Sequence, residues 1–447
     1  FSRAGAAASA GGRGSAMQAI VEAVLKQSGT EQGLRELLSM LRSQEEVIYR
    51  HAMQLDEVVQ TLTSPDHTLG LIFVLHVRAS AIAQAGSPPG LAFLHQCRAL
   101  LTRLDPAQVA LAPMEVSRLC AKFLAFALDA GTPLLAVKPL IVAAQALQPG
   151  PAHFTPVHPL ALQACILAKC YSASLALIGE PLIQVDPAKT AVTAQDVLLT
   201  HYHGGIALVG LKRHAEALQF FQLVIAAPTL VFNTIMVEAY KKWLLCGLIA
   251  NKAVPVLPRY TATTVQRSSK GCAPAYVELG ASFASRDLAK LQRTIATHAA
   301  VFEKDSNTGL VKQCATAFTK DCIQRLSRTY VTLSLVDIAS AAGLSGAAEA
   351  EAQLLIMVDK GEIKAQIDRV KGMALFSGDA DVFDSNEMKT VLDARLEQVV
   401  TLSHKLRDLH DDIAGDVAYV SKMVEKGDRS AGRWAGERAG AEDMAVI

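Results

Sequence analysis

Residues 331–376, VTLSLVDIASAAGLSGAAEAEAQLLIMVDKGEIKAQIDRVKGMALF, constrain the fold more than any other stretch of the chain. Their pattern predicts a helix, a tight turn, a second helix and a two-stranded wing. The first helix carries Leu333, Leu335, Ile338 and Ala339 on one side. Gly343 and Ser345 stand where a turn needs a permissive backbone and a helix needs an N-cap. The second helix is expected from about Ala347 to Asp359, with Leu354, Ile356 and Met357 for packing, and Gly361 stops it near a C′ position. Ile363, Ala365 and Ile367 then alternate with polar residues at period 2, as a half-buried strand does. Lys371-Gly372 turns the chain, and Met373 to Phe376 return beside that strand. The module is a winged helix-turn-helix.

Such modules commonly read DNA, and the charge pattern argues against it here. A recognition helix in the major groove needs Arg, Lys, Asn or Gln to reach bases and phosphates. The second helix offers Glu349, Glu351 and Asp359, with Gln353 the one candidate reader and Lys360 only at its end. Those carboxylates have the wrong sign for a polyanion. In the wing, Lys364, Arg369 and Lys371 are nearly cancelled by Glu362 and Asp368. A protein-binding winged helix is the better reading.

The whole chain repeats that balance. With 43 Lys+Arg against 42 Asp+Glu, the net charge is +1, so no global field favours nucleic acid or a membrane surface. At 447 residues there is length for two or three domains and a large core. The mean hydropathy is positive, at +0.26, yet the longest apolar run, Leu69 to Val77, is interrupted by Gly70 and His76 and is too short to span a bilayer. The apolar excess is therefore assigned to packed helices or to surfaces covered in an assembly. None of the eight cysteines has CxxC spacing, and they read as reduced, buried thiols of an intracellular protein. Cys165 and Cys170 have the spacing of neither a zinc knuckle nor a redox pair. No secretory signal is expected at the N-terminus.

From Met17 to about residue 300 the chain is a succession of apolar-periodic helices. Pro65, Pro88-Pro89, Pro106, Pro113, Pro133, Pro149-Gly150-Pro151, Pro181, Pro228 and Pro258 punctuate them at hairpin intervals. This predicts an α-solenoid. In residues 195–228, Gln195 to Val209 are one helix, Gly210-Leu211-Lys212-Arg213 the turn, and His214 to Ala226 the second helix. Gly205, Ala217 and Phe221 fill the small, small and aromatic positions of a degenerate tetratricopeptide-like unit, in which Leu208 replaces the usual first-helix aromatic. Residues 1–16 are Gly, Ala, Ser and Arg with little to bury. They are set outside the fold as a disordered or gene-model extension, with Met17 the expected initiator and a helix from Gln18 to Lys26. After residue 376 comes a polar break, Ser377 to Asp381, and then a single long helix from about Asn386 to Glu425. Leu392, Leu396, Val399, Leu402, Leu406, Leu409, Ile413, Val417 and Val420 follow steps of three and four, a coiled-coil seam. Such a helix is roughly 60 Å long and needs partner helices. Residues 426–447 read as a disordered tail.

No catalytic motif in the sequence is complete. His201-Tyr202-His203 resembles the HxH of a metalloprotease, a class that also needs a Ser and an Asp at fixed spacings downstream and a distant Glu; here position 214 is His, and the second shell and third ligand are missing. The two histidines read instead as flanking a repeat's first helix. Gly204-Gly205…Gly210 lacks the strand, Lys-Ser/Thr and spacing of a phosphate cradle. Lys320, Arg325 and Arg328, interleaved by Asp321, read as a solvated face, with RNA contact the minor alternative. No catalytic residue, cofactor or metal is expected.

A helical-repeat array, a winged helix and a long terminal helix together resemble the PCI proteins, which the proteasome lid, the COP-nine signalosome and translation initiation factor three share. Within that family the likeness is to signalosome members. It is carried by His67 to Gly70 (HTLG), His158 to Tyr171 (HPLALQACILAKCY), Tyr202 to Lys212, Val237 to Lys242 (VEAYKK), and Asn307 to Ala339 (NTGLVKQCATAFTKDCIQRLSRTYVTLSLVDIA), continuing through Glu362-Ile363 and Lys371-Gly372-Met373. The resemblance covers roughly Met17 to Gly378 and weakens in the terminal helix. It implies an all-α fold with a small β wing: a TPR-like solenoid (17–300), a PCI winged-helix region (301–378) and a bundle helix (386–425). It further implies a non-catalytic scaffold in the complex that removes Nedd8 from cullin-RING ligases, found in nucleus and cytoplasm. Its partners would be other PCI and MPN subunits and, indirectly, the ligases, with no nucleic acid and no membrane. The expected interfaces are the wing, through Glu362, Ile363, Lys364, Ile367, Lys371, Met373 and Phe376, and the helix seam, through Leu396, Val399, Leu402, Leu406, Leu409, Ile413, Val417 and Val420. A proteasome-lid subunit and a nucleic-acid-binding PCI protein of messenger-RNA export are the alternatives.

Overall fold

A computed structural model describes residues 18–50, 55–86, 90–229, 231–376 and 386–425. Residues 1–16, Met17, Pro88-Pro89, the break after Phe376 and the tail from residue 426 lie outside the described residues. Compactness divides the chain into two units. One runs to Ile323 and takes in Ala341–Gly343, and the other holds Gln324–Ser340 and the chain from Leu344 onward. The helix Thr308–Thr329 passes from the first into the second.

The first unit is a stack of helices. Chain direction reverses where the sequence supplies a helix start that satisfies its own backbone. Thr193 and Asp196 form a reciprocal capping box at the head of Ala194–Gly210. Asn233 caps Thr234–Ala250 and Asp287 caps Leu288–Thr297. Prolines begin Pro106–Val109, Pro113–Asp129 and Pro274–Ala284, where a missing N–H costs nothing. Several helices stop in a left-handed residue whose successor bonds back five residues. Thr132 N donates to Ala127 O after Gly131, and Arg213 N to Leu208 O after Lys212, each at 2.9 Å.

One apolar cluster runs through the unit from Ile20 to Phe318. The run Leu69 to Val77 lies in Thr68–Ala85, an 18-residue helix that length and composition alone would allow to cross a membrane. Every residue from Thr68 to Val77 is buried in the core, so the helix is apolar all round because neighbours surround it. All eight cysteines are free thiols, but not all are buried: Cys272 is exposed, and Cys170 and Cys322 are half-buried.

The hairpin 194–226 shows why small residues recur. A Cβ on Gly205 would lie 2.6 Å from Cε1 of Phe221, and one on Gly204 would lie 2.9 Å from Phe220. Phe221 and Ala217 are fully buried. The two helices, Ala194–Gly210 and His214–Ala226, approach by putting backbone where side chain would be.

The second unit carries the winged module. Its sheet has three strands, where the sequence reading supplied two. These are β1 (Thr332–Ser334), β2 (Ala365–Asp368) and β3 (Met373–Phe376), in the order β1-β3-β2 with both pairs antiparallel. Leu333 therefore belongs to a strand opposite Ala374, not to the first helix, which is Leu335–Ala342. The second helix is Ala347–Asp359. Gly343, Gly361 and Gly372 all adopt positive φ, at +67°, +67° and +63°. Ser345 does not cap by its hydroxyl; the N-cap is Gly346, and Glu349 instead accepts from Ser345 N at 2.8 Å. Ile356, expected to pack, is exposed, while Leu354 and Met357 are buried.

Candidate functional site

The wing's inner face is settled by alternation. Ala365 pairs with Phe376 and Ile367 with Ala374, and Leu333 adjoins Ala374 from the other side. Ala374, Phe376 and Ile363 are buried, and Ile367 is half-buried. Of the wing residues named from sequence, Ile363 and Phe376 thus belong to the unit's own core. Glu362 and Met373 are half-buried, and Lys364 and Lys371 are exposed. Because β3 is central, the sheet's two edges are β2 and β1. Leu375 faces outward, and Tyr330, Val331 and Val336 are exposed near β1. Sequence reasoning passed over this outer face; the alternating Val331-Thr332-Leu333-Ser334 was its signal.

Two of the wing's cations are engaged by acids. Arg369 Nε is paired with Glu351 on the second helix, and Lys371 Nζ lies 3.8 Å from Asp368. Asp368 also accepts from the amides of Val370 and Lys371, at 3.0 and 3.2 Å, which shapes the turn. Gln353, the one candidate base reader, is half-buried. Glu349 is held below the usual carboxylate range by hydrogen bonds from Ser345. Little on this face suits a phosphate backbone. The cluster before it is no solvated face either, since Lys320, Asp321 and Arg325 are half-buried and only Arg328 is exposed.

The terminal helix is the larger surface. It runs Asn386–Gly415, about 45 Å at 1.5 Å per residue, and a second segment follows at 417–425. The single helix to Glu425 is thereby corrected. Gly415 is a poor helix former, and Asp416 turns its carboxylate onto Ala418 N at 2.8 Å, starting the next segment. Leu396, Val399, Leu402, Leu406, Leu409, Ile413, Val417 and Val420 are between 36% and 79% exposed. Leu392, Val399, Leu406, Ile413 and Val420 recur at strict seven-residue intervals, with Leu402, Leu409 and Met423 at the intervening d positions. Arg395 and Asp416 interrupt that second row, and Asp416 does so at the break. These residues form a narrow, exposed apolar stripe along an otherwise charged helix.

The histidines of the HxH motif are structural. His201 Nδ1 donates to Val197 O at 2.9 Å, and its ring lies against Phe154 and Phe220. His203 Nδ1 donates to Pro159 O at 3.1 Å. Burial lowers the pKa of both. Among the described residues no group of three or more His, Cys, Asp or Glu is arranged to hold a metal ion.

Comparison with known proteins agrees with the order of helical repeats and winged helix. Residues 31–265 match the family model for the N-terminal helical repeats of COP9 signalosome complex subunit 3, and residues 295–377 match the PCI domain. An Arabidopsis thaliana protein named COP9 signalosome complex subunit 3 is 31% identical over 413 residues, covering 91% of this chain and 93% of the relative. A Dictyostelium discoideum protein of the same name is 32% identical over 390 residues, covering 87% and 92%. Repeats, winged helix and identity along nearly the full length converge: the chain belongs to the COP9 signalosome complex subunit 3 family.

Proposed function

We propose that this chain is a non-catalytic scaffold subunit of a COP9 signalosome, the assembly that removes Nedd8 from cullin-RING ligases. The observation that carries the reading is the exposed heptad seam of Asn386–Gly415. Full burial of such a side chain stabilises by about 1.5–3 kcal/mol, and covering the exposed part of each gains a share of that, so a chain that presents a row of them is built for partner helices. The wing, through its edge strand β2 (Ala365–Asp368), is the second contact, where strand pairing gives geometry and side chains give partner choice. Two contacts on one chain add avidity. Other PCI subunits and MPN subunits are the proposed neighbours, with cullin-RING ligases reached through them, in nucleus and cytoplasm. The isopeptidase step falls to a metal-binding subunit, in keeping with the packing roles of His201 and His203. A proteasome-lid role is disfavoured by the signalosome names of the relatives, and messenger-RNA binding by the paired cations of the wing.

The test is affinity purification of the tagged full chain followed by native mass spectrometry. An assembly with other PCI subunits and a metalloprotease subunit, active on neddylated cullin, is expected. A monomer that retains RNA would overturn the reading.

A further inference from the structure

The segment Val254-Pro255-Val256-Leu257-Pro258 belongs to no helix or strand, and its two prolines fix φ at their own positions. It is also pinned at two points. A Cβ on Gly247 would lie 2.4 Å from Pro255 Cγ, and one on Gly280 would lie 3.3 Å from Val254 Cγ2. Two glycines on the helices Thr234–Ala250 and Pro274–Ala284 thus let this loop descend onto helix backbone. Between loop and helices runs a groove of about 540 Å³, walled by Trp243, Leu244, Val256, Leu257, Val277 and Ala281. That volume lies within the range of ligand-binding clefts.

Four features bear on what fits there. The charged residues that line the groove are Arg259 and Lys270; both are exposed, and neither makes an ion pair among the described residues. No acidic residue lines it. Val256, at the crest, is 87% exposed, an apolar side chain held out by a rigid loop. The amides of Val256 and Leu257, two residues that line the groove, make no backbone hydrogen bond among the described residues. Trp243 is 1% exposed, and its Nε1 has no hydrogen-bond partner.

We infer that this groove docks an extended acidic segment of a partner protein, with apolar side chains between the loop and the helices and flanking carboxylates on Arg259 and Lys270. The inference stands on unit 1 alone and does not depend on the helix seam.

The chain's two tryptophans are Trp243 and Trp434, so the full chain carrying Trp434→Phe reports on the groove wall through Trp243. The probe is a set of acetylated hexapeptides, Asp-Glu-X-X-Asp-Glu, with Leu, Ile, Val, Phe or Met at X, each matched by a Lys-Arg-X-X-Lys-Arg counterpart. At least one acidic peptide is expected to shift Trp243 emission saturably and to bind at least tenfold more tightly than its basic counterpart. Val256→Asp, and separately Arg259→Glu with Lys270→Glu, should weaken it at least tenfold while the melting temperature holds. The proposal is overturned if no acidic peptide saturates, if the basic frame binds equally well, or if binding survives both variants. Loss of peptide binding with normal assembly would leave the scaffold reading intact.

Discussion

The guanidinium of Arg369, on the wing, is held by the carboxylate of Glu351, on the second helix of the winged module. A cation that a DNA-binding wing would turn to phosphate is thereby engaged within the unit. The pair is largely solvated on the arginine side and is worth about 0.2–1 kcal/mol. Glu351→Gln should therefore barely change stability. Fluorescence anisotropy should show no saturable duplex binding by the native chain at about 0.15 M salt. Tight, salt-steep binding would show that other cations dominate this face.

The wing's inner face makes a graded prediction. Ile363 is buried and Ile367 half-buried, so Ile363→Asp should cost several kcal/mol and Ile367→Asp distinctly less. Amide exchange in β2 and β3 reads both. Equal, native-like protection in the Ile363 variant would mean that the side chain is not a core residue.

Gly205 tests the repeat packing. Gly205→Ala drives a methyl to 2.6 Å from the buried Phe221 ring and should cost about 1–3 kcal/mol. Combined with Phe221→Leu, the losses should be less than additive, with a coupling of at least about 0.5 kcal/mol in denaturant melts. Strict additivity would mean that the two positions do not meet.

His76 makes an acid-side prediction. Burial lowers its pKa from 6.5 to about 4, with Lys122 and Arg118 adding to the effect and Glu115 opposing it. Glu45 Oε1 is 3.9 Å from Nε2, and Nδ1 is buried without a partner. The unfolded chain takes up this proton at higher pH than the folded one. The contribution is thus complete above pH 6.5 and is lost as pH falls towards 4, by about 2–3 kcal/mol at most. His158, lowered to about 4 by burial, acts in the same direction. His76→Leu should flatten the fall in melting temperature between pH 6.5 and 4 relative to the native chain. An unchanged slope would mean that His76 does not titrate in that window.

What the sequence disclosed and what it hid follow from how local each signal is. The 194–226 hairpin, the second helix of the winged module and strand β3 are set by periodicity and turn residues within a dozen positions, and their bounds could be read to within a residue or two. Strand β1 was hidden because Leu333 also satisfies the spacing of the helix that follows. Only pairing with residues 373–375 decides the matter. Left-handed helix ends at Lys169, Lys212 and Ser306 carry no glycine to announce them. Alternation at Ile363, Ile367 and Phe376 gave the strand faces but not which face the unit would keep for its own core. The break at Gly415-Asp416 was legible in retrospect, since a glycine precedes a capping aspartate. The groove under Val254–Pro258 was not, because it depends on Gly247 and Gly280 meeting the loop in space.

The most direct test of the scaffold account is to carry Leu406→Asp in the tagged full chain and quantify what co-purifies. Leu406 is 66% exposed, so the substitution should leave the chain's own melting curve unchanged. The account predicts loss of the other subunits from the variant while the folded chain is recovered at normal yield. Recovery of the complete assembly in native amount would contradict it.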